Sequence, residues 1–137
     1  MEDKTFAQKV REKYGDSVEE FALRLGVRSV TVLSWESGVT PQPQVLALLT
    51  YANEYDLPLK DDASEEHKNM SAPDLVAYLM KYYDDTPTAL GIRLGLSRYQ
   101  IVRLMGRDRV NKSTKRLLLE AATHPENFMK YPKSFSK

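Results

Sequence analysis

An internal repeat that runs without a gap constrains the fold of this chain more than any other feature. The segment LGVRSVTVLSWESG at residues 25–38 aligns with LGLSRYQIVRLMGR at residues 94–107, every position being displaced by 69. Most positions that keep their character are apolar or glycine, as a shared core requires when surface residues are free to differ. The 137 residues are therefore expected to form two very small domains of one kind. The identical pairs include Tyr14/Tyr83, Arg24/Arg93, Leu25/Leu94, Gly26/Gly95, Leu48/Leu117, Leu49/Leu118 and Ala52/Ala121.

The repeat predicts four segments along the chain. The first domain, here called the first repeat, covers residues 1–59, and the second repeat covers residues 73–125. Residues 60–72 between them are polar, highly charged and free of aromatic side chains, which is typical of a linker. Residues 126–137 form a tail that mixes aromatic residues with lysines. This tail is either an arm that packs on a neighbour or on DNA, or a frayed end.

The spacing of apolar residues is helical in both repeats. Phe6, Val10 and Tyr14 lie four residues apart, which places them on one face of a helix. Leu75 and Leu79 repeat this spacing in the second repeat. No clear alternating run supports a strand, so the predicted fold class is all-α.

Residues at the ends of the predicted helices mark where each one begins and stops. Ser17-Val-Glu-Glu20 has the form of a capping box, in which the serine oxygen accepts from the backbone and the glutamate reaches back. Gly26 and Gly95 each follow a predicted helix, where a left-handed residue is favoured. Further predicted helices begin at Ser71, Thr86 and Ser97.

Cysteine and long apolar runs are missing from the sequence. The absence of cysteine excludes disulfides, thiol catalysis and cysteine-based zinc sites, and it fits a reducing cytosol. The charged start, MEDKTFAQKV, does not resemble a signal peptide, and no apolar run reaches the length of a membrane span. We expect a soluble cytoplasmic protein that does not contact a membrane.

The net charge of +1 conceals a division along the chain. The first repeat holds six Lys and Arg against nine Asp and Glu, and the linker holds two against four. Residues 73–137 hold twelve Lys and Arg against six Asp and Glu. A basic second half is typical of a protein that binds a polyanion, whereas an acidic first half is not.

Each repeat contains two short predicted helices joined by a tight turn. They cover roughly residues 17–25 and 29–37 in the first repeat, and roughly residues 86–94 and 98–106 in the second. A small residue in the middle of the first helix, alanine or glycine, lets the second helix cross closely. Apolar residues spaced along the second helix point inward. This combination resembles a helix-turn-helix.

The first repeat is similar to the phage repressor and Cro-like family of transcriptional regulators, also described as the xenobiotic-response-element type. A Trp-Glu-x-Gly sequence at the end of the second helix is common in that family, and here it is WESG at residues 35–38, followed by two prolines. The resemblance covers residues 5 to about 56 and extends less strictly over about 73–123, where Trp-Glu and the prolines are lacking. It implies two tandem lambda-repressor-like helix-turn-helix domains of about five short helices each.

A pair of charged residues supports the alignment of the two repeats. The resemblance implies that Arg11 of the first helix pairs with Glu36. At a displacement of 69 these positions are Met80 and Met105, so both partners are apolar together. Removing one member of a buried pair costs about 3–5 kcal/mol, whereas replacing both is often neutral. The joint change indicates that the second repeat is a folded domain.

The resemblance implies that the early and middle positions of the second helix enter the major groove of DNA. Arginine there can bind both acceptors of guanine, and the residues that follow would pass the phosphates. Main-chain N–H groups at the start of the preceding helix could hold another phosphate. The predicted DNA-binding residues of the second repeat are Ser97 as the cap, Arg98, Tyr99, Val102 and Arg103, then Arg107, Arg109, Lys112 and Lys115, and Thr86 and Thr88 at the preceding helix start.

The corresponding positions of the first repeat are much less basic. Val30 and Leu33 would face outward, where they either touch thymine methyl groups or form a protein interface. Of these two alternatives, the protein interface is the favoured one. The candidate residues of the first repeat are Arg28, Ser29, Val30, Leu33 and Ser34.

The leading hypothesis is a sequence-specific DNA-binding regulator of a bacterium or phage, a repressor that excludes polymerase from double-stranded DNA. The second repeat would be the main operator reader, and the first repeat a second half-site reader or a protein interface. A homodimer is expected because one small module buries only about 600–1,000 Å² on DNA. No enzyme activity, cofactor or metal site is predicted, since the two histidines are far apart and lack partners at ligand spacing. The rival hypothesis is an antitoxin, or an inhibitor of a nucleic-acid enzyme, that uses the apolar face of the first repeat.

Overall fold

A computed structural model describes residues 4–60, 62–106 and 110–129 of the chain. All regular structure in these ranges is helical, which confirms the all-α class. No helix within them is long and apolar enough to cross a membrane. The α-helices are α1 (Phe6–Tyr14), α2 (Val18–Leu25), α3 (Ser29–Glu36), α4 (Pro43–Glu54), α5 (Glu65–Lys68), α6 (Ala72–Tyr83), α7 (Pro87–Leu94), α8 (Arg98–Gly106) and α9 (Lys112–Thr123), followed by the 3-10 helix Pro125–Phe128.

The predicted helix ends are confirmed to within one residue around both turns. Ser17 Oγ accepts from the Glu20 N–H at 3.1 Å, and the Glu20 carboxylate accepts from the Ser17 N–H at 2.9 Å. Ser97 makes the same reciprocal contacts with Gln100 at the start of α8. Gly26 and Gly95 end α2 and α7 in the left-handed region, with φ of 72° and 76°. A side chain is unfavourable in that region, so both turns favour glycine.

The first repeat is built from α1–α4 around a buried apolar centre. Val32 and Trp35 of α3 are both buried, and they fix which side of the helix faces outward. Glu36 accepts two hydrogen bonds from Arg11, at 2.6 Å from Nε and 3.1 Å from Nη2, so the expected ion pair is confirmed. This pair fastens the end of α3 to α1. The largest buried side chains of this repeat are Phe21, Leu25, Leu48 and Leu49.

The second repeat is built in the same way from α6–α9. Each repeat has four α-helices in the part of the chain that the structure describes, whereas about five were expected. Of the two remaining helices, α5 lies in the predicted linker and the 3-10 helix follows α9. Met80 packs against the core, and Met105 is exposed. Helices α4 and α9 pack against each other, and the buried apolar residues of both repeats form one continuous core. Leu75, Leu79, Leu90, Ile101 and Leu117 are among the buried residues of the second repeat.

The predicted linker is attached to α9. Ala63 is buried, and α5 forms one turn of helix within the linker. The ammonium of Lys115 donates to the carbonyl oxygen of Met70 in the linker, and the guanidinium of Arg116 donates to that of Pro58 at the end of the first repeat. These contacts hold the connection between the repeats against the second repeat.

The first part of the predicted tail packs on the first repeat. The Phe128 ring stacks on the Tyr51 ring with their centroids 4.8 Å apart, and Asn127 Nδ2 donates to the Tyr51 hydroxyl at 2.8 Å. Residues 126–129 therefore contact the protein itself rather than extending away from it as an arm. The rest of the tail, residues 130–137, lies outside the described residues.

The crossing of α7 and α8 depends on the absence of a side chain at Gly91. A Cβ atom at this position would lie 2.7 Å from the carbonyl oxygen of Leu96, which belongs to the backbone of the turn. At the equivalent position of the first repeat Ala22 is buried, and the Val27 N–H donates to its carbonyl oxygen at 3.0 Å, as the Leu96 N–H donates to that of Gly91 at 2.7 Å. The close approach at Gly91 agrees with the prediction of a small residue where the two helices cross.

Gly91→Ala is expected to lower the free energy of unfolding by about 1–3 kcal/mol, the usual effect of overpacking. The reason is that the turn before α8 must move to admit the methyl group. Urea unfolding followed by circular dichroism measures the change. Gly106→Ala is the matched control, since nothing lies within 4 Å of a Cβ there and a gain of about 0.4–1 kcal/mol is expected. Equal effects of the two substitutions would contradict the prediction.

Candidate nucleic-acid interface

The outward face of α8 combines two arginines with an aromatic ring. Ile101 and Leu104 point into the core and fix the rotation of the helix. The side chains on the opposite face of the helix are left in solvent, and that of Tyr99 is 84% exposed. The exposed residues of α8 and its cap that match the predicted DNA-binding set are Ser97, Arg98, Tyr99, Val102 and Arg103.

Both guanidinium groups of this face are available to a ligand. Neither Arg98 nor Arg103 has a hydrogen-bond or ion-pair partner among the described residues. A guanidinium that faces water presents five donors in a plane, and it can bind two acceptors at once. As far as the described residues are concerned, the face of α8 can therefore bind base edges or phosphate oxygens without first breaking a contact.

The predicted phosphate contacts around α8 have different surroundings. Lys112 is exposed at the start of α9, whereas the ammonium of Lys115 contacts the carbonyl oxygen of Met70 in the linker. Arg107 and Arg109 lie outside the described residues. Thr86 and Thr88 are exposed at the start of α7, where the Thr86 hydroxyl accepts from the Ala89 N–H at 3.2 Å. Lys112 is thus the lysine of this group that faces solvent.

Amide side chains from outside α8 border the same face. Gln42 and Gln44 of the first repeat line a groove together with Gln100 and Arg103 of α8. Gln44 Nε2 donates to Gln42 Oε1 at 2.7 Å, which orients both amides. Asn111 of the second repeat also lines this groove. Sequence reasoning missed the two glutamines, because nothing local indicates that the start of α4 lies beside α8.

The outward face of α3 is apolar where that of α8 is basic. Val30 is 59% exposed and Leu33 is 51% exposed, and the first repeat also exposes Leu23 and Val39. Arg28 is the exposed cation at the start of this helix. The two serines of the predicted set are half-buried, and Ser34 Oγ donates to the carbonyl oxygen of Thr31 at 2.7 Å. The two equivalent faces therefore differ in chemistry.

A buried ion pair supports the motif in each repeat, and sequence reasoning missed it. In the first repeat Arg24 donates to both oxygens of Asp16, at 2.8 and 3.0 Å, and lies 4.1 Å from the centre of the Tyr14 ring. The hydrogen bonds to Asp16 raise the pKa of Arg24 above its ordinary value, against the effect of burial. The guanidinium thus fastens α2 to the end of α1.

The second repeat contains the same cluster. Arg93 donates to both oxygens of Asp85, at 2.8 and 3.1 Å, and lies 4.0 Å from the Tyr83 ring. The Asp85 side chain is only 5% exposed, although its position directly after a predicted helix is typical of a solvent-exposed charge. The signal was present in the sequence, since Tyr, Asp and Arg all recur at a displacement of 69. Burial raises the pKa of Tyr83, which keeps its hydroxyl neutral as a donor to the carbonyl oxygen of Pro125.

Comparison with known proteins gives one result. Residues 8–61 match a protein-family model described as helix-turn-helix. The match covers most of α1 and all of α2–α4, and it ends in the linker, before the second repeat begins. No curated protein and no solved structure matches the chain.

Proposed function

We propose that the chain is a sequence-specific transcriptional repressor of a bacterium or phage, because the match of residues 8–61 to a helix-turn-helix family model supports a regulator of the Cro/C1 type. The family suggests a DNA-binding transcription regulator. Repression by excluding polymerase from the promoter is the simplest mechanism, because occupancy of the operator is then sufficient. The protein would then act inside the cell, where it binds DNA.

The observation that carries this proposal is the exposed arginine face of α8. The helix is fixed by buried Ile101 and Leu104, and it directs Arg98 and Arg103 into solvent. Each arginine that binds a guanine through both acceptors contributes about 1–3 kcal/mol of discrimination. Lys112 and the main-chain N–H groups at the start of α7 are suited to phosphates, which position the protein without reading sequence.

We propose that the second repeat is itself a helix-turn-helix domain and the main operator reader. Its support is the equivalence of α6–α9 to α1–α4, including the left-handed glycine in the turn. The Leu96 N–H donates to the Gly91 carbonyl oxygen, as the Val27 N–H donates to that of Ala22 in the matched domain. The higher positive charge of the second half favours it as the main contact.

The first repeat has two candidate roles. Val30 and Leu33 are suited to thymine methyl groups at a second half-site, or to a protein partner such as a toxin or a nuclease. The second role belongs to the rival function of antitoxin or inhibitor. Exposure of these two side chains supports either role.

Footprinting of the DNA upstream of the gene for this chain, at 50 and 200 mM salt, tests the proposed function. With five or six phosphate contacts, affinity is expected to fall about 500- to 2,000-fold between these concentrations, because bound counterions are released. A capture experiment on the same protein tests the rival function. Recovery of a toxin or nuclease together with no protected DNA would favour the rival and overturn the regulator.

A further inference from the structure

The two repeats meet at residues that are equivalent to each other. The Tyr51 hydroxyl in α4 donates to a carboxylate oxygen of Glu120 in α9 at 2.8 Å, and these positions are 69 apart in the sequence. When two similar units are related by a two-fold rotation, a residue touches its own equivalent only close to the axis. The contact is therefore the one expected of an approximate two-fold axis that passes between α4 and α9 near this hydrogen bond.

Further contacts between the repeats are exchanged in both directions. A Cβ atom on Gly26, in the turn before α3, would lie 3.0 Å from the carbonyl oxygen of Lys112 at the start of α9. A Cβ atom on Gly95, in the turn before α8, would lie 3.3 Å from the Cβ of Ala47 in α4. Each turn thus packs against the first half of the last helix of the other repeat. The exchange is approximate, because the equivalent of Lys112 is Pro43, four residues before Ala47, and it agrees with an approximate two-fold relation between the repeats.

The interface between α4 and α9 is packed and buried, so the two repeats are joined by more than the linker. Glu120 is 1% exposed, and burial raises the pKa of its carboxyl group above the ordinary value. Asn127 donates to the Tyr51 hydroxyl, and Phe128 stacks on the Tyr51 ring. Packed side chains, and not linker length, therefore determine how α3 is oriented relative to α8.

We propose that one chain acts as a covalent pseudo-dimer that reads a bipartite DNA site with two unlike half-sites. The α4–α9 interface takes the place of the interface between two subunits. The inference rests on the proposed function, since it requires DNA binding.

The chemistry of the two faces defines the site. The face of α8 carries Arg98 and Arg103 and selects guanine in one half, whereas Val30 and Leu33 on α3 contact thymine methyl groups in the other. A homodimer of identical subunits selects a palindrome, but a pseudo-dimer with unlike faces selects a non-palindromic site. Two modules bury about 1,200–2,000 Å² on DNA, which lies within the range of specific complexes, so a second chain is not required.

A disulfide across the interface tests the proposal. The natural sequence has no cysteine, so Ala47→Cys with Gly95→Cys introduces a single possible bond. The Cβ separation of 3.3 Å is close to the range of about 3.5–4.5 Å found in disulfides. The reduced form of this variant is the matched control, since both forms carry the strain of a side chain at the left-handed Gly95 position.

The proposal predicts that the disulfide forms within one chain and leaves DNA affinity within about two-fold of that of the reduced form, since the partners of preorganised complexes move little on binding. Sedimentation of the natural protein with the footprinted duplex is expected to give one chain per site, and the protected sequence is expected to be non-palindromic. This second measurement does not depend on the variant folding.

Three results would overturn the pseudo-dimer while leaving DNA binding in place: two chains on one palindromic site, no disulfide in a folded variant, or loss of binding only on oxidation. Loss of specific DNA binding by the natural protein would overturn the proposed function and the pseudo-dimer together.

Discussion

Replacing Arg98 and Arg103 together by alanine is expected to weaken specific DNA binding by about 30-fold to 10⁴-fold, because each bidentate arginine–guanine pair contributes about 1–3 kcal/mol. Neither side chain has a partner among the described residues, and both are exposed. Their removal is therefore expected to leave the fold intact. A gel-shift titration with the footprinted duplex, beside a random duplex of equal length, measures the specific part of the loss.

Lys9→Ala with Lys81→Ala is the matched control for this substitution. Both lysines are exposed, on α1 and α6, so the variant loses the same two charges away from α8. The control is expected to weaken binding to both duplexes alike and by much less. If the double arginine variant binds normally while Leu33→Glu abolishes binding, the second repeat is not the main reader and α3 is.

Asp85→Ala is expected to lower the free energy of unfolding by about 3–5 kcal/mol, because it removes one member of a buried ion pair, the carboxylate that accepts two hydrogen bonds from Arg93. The side chains of Arg93 and Asp85 are 8% and 5% exposed, and two hydrogen bonds join them. Small domains are stable by about 5–15 kcal/mol in total, so the loss is a large fraction. Urea unfolding at neutral pH gives the change.

Two further substitutions make the stability result specific. Asp16→Ala removes the equivalent carboxylate of the first repeat and is expected to have a similar effect. Glu12→Ala removes the partner of Lys4 in an exposed pair, where a loss below about 1 kcal/mol is expected. A loss of the same size for Glu12→Ala and Asp85→Ala would contradict the argument from burial.

Much of the local structure could be predicted from the sequence. The capping box of Ser17 and Glu20 and the left-handed Gly26 and Gly95 are confirmed, because caps and turns depend on residues only a few positions apart. The match of residues 8–61 confirms the helix-turn-helix resemblance of the first repeat. The division into two domains and the roles of the DNA-binding residues remain predictions.

Part of the candidate site could not be predicted, for a different physical reason at each place. In the sequence, Asp85 follows a predicted helix, where a solvent-exposed charge is typical. Only the packing of Arg93 and Tyr83 around this carboxylate shows that its side chain is buried. Gln42 and Gln44 border α8 because two segments that are distant in the sequence come into contact. No periodicity in the sequence indicates that contact.

The helices around the two turns, their first and last residues, and the recurrence of one segment at a displacement of 69 could be read from the sequence, since periodicity and capping depend on neighbouring residues. How the two repeats face each other could be read only from the folded chain. Tyr51 and Glu120 meet through the packing of α4 on α9, and this packing depends on shape and burial across the whole molecule. Contacts between residues far apart in the chain leave no local pattern, so the sequence did not reveal the interface on which the pseudo-dimer depends.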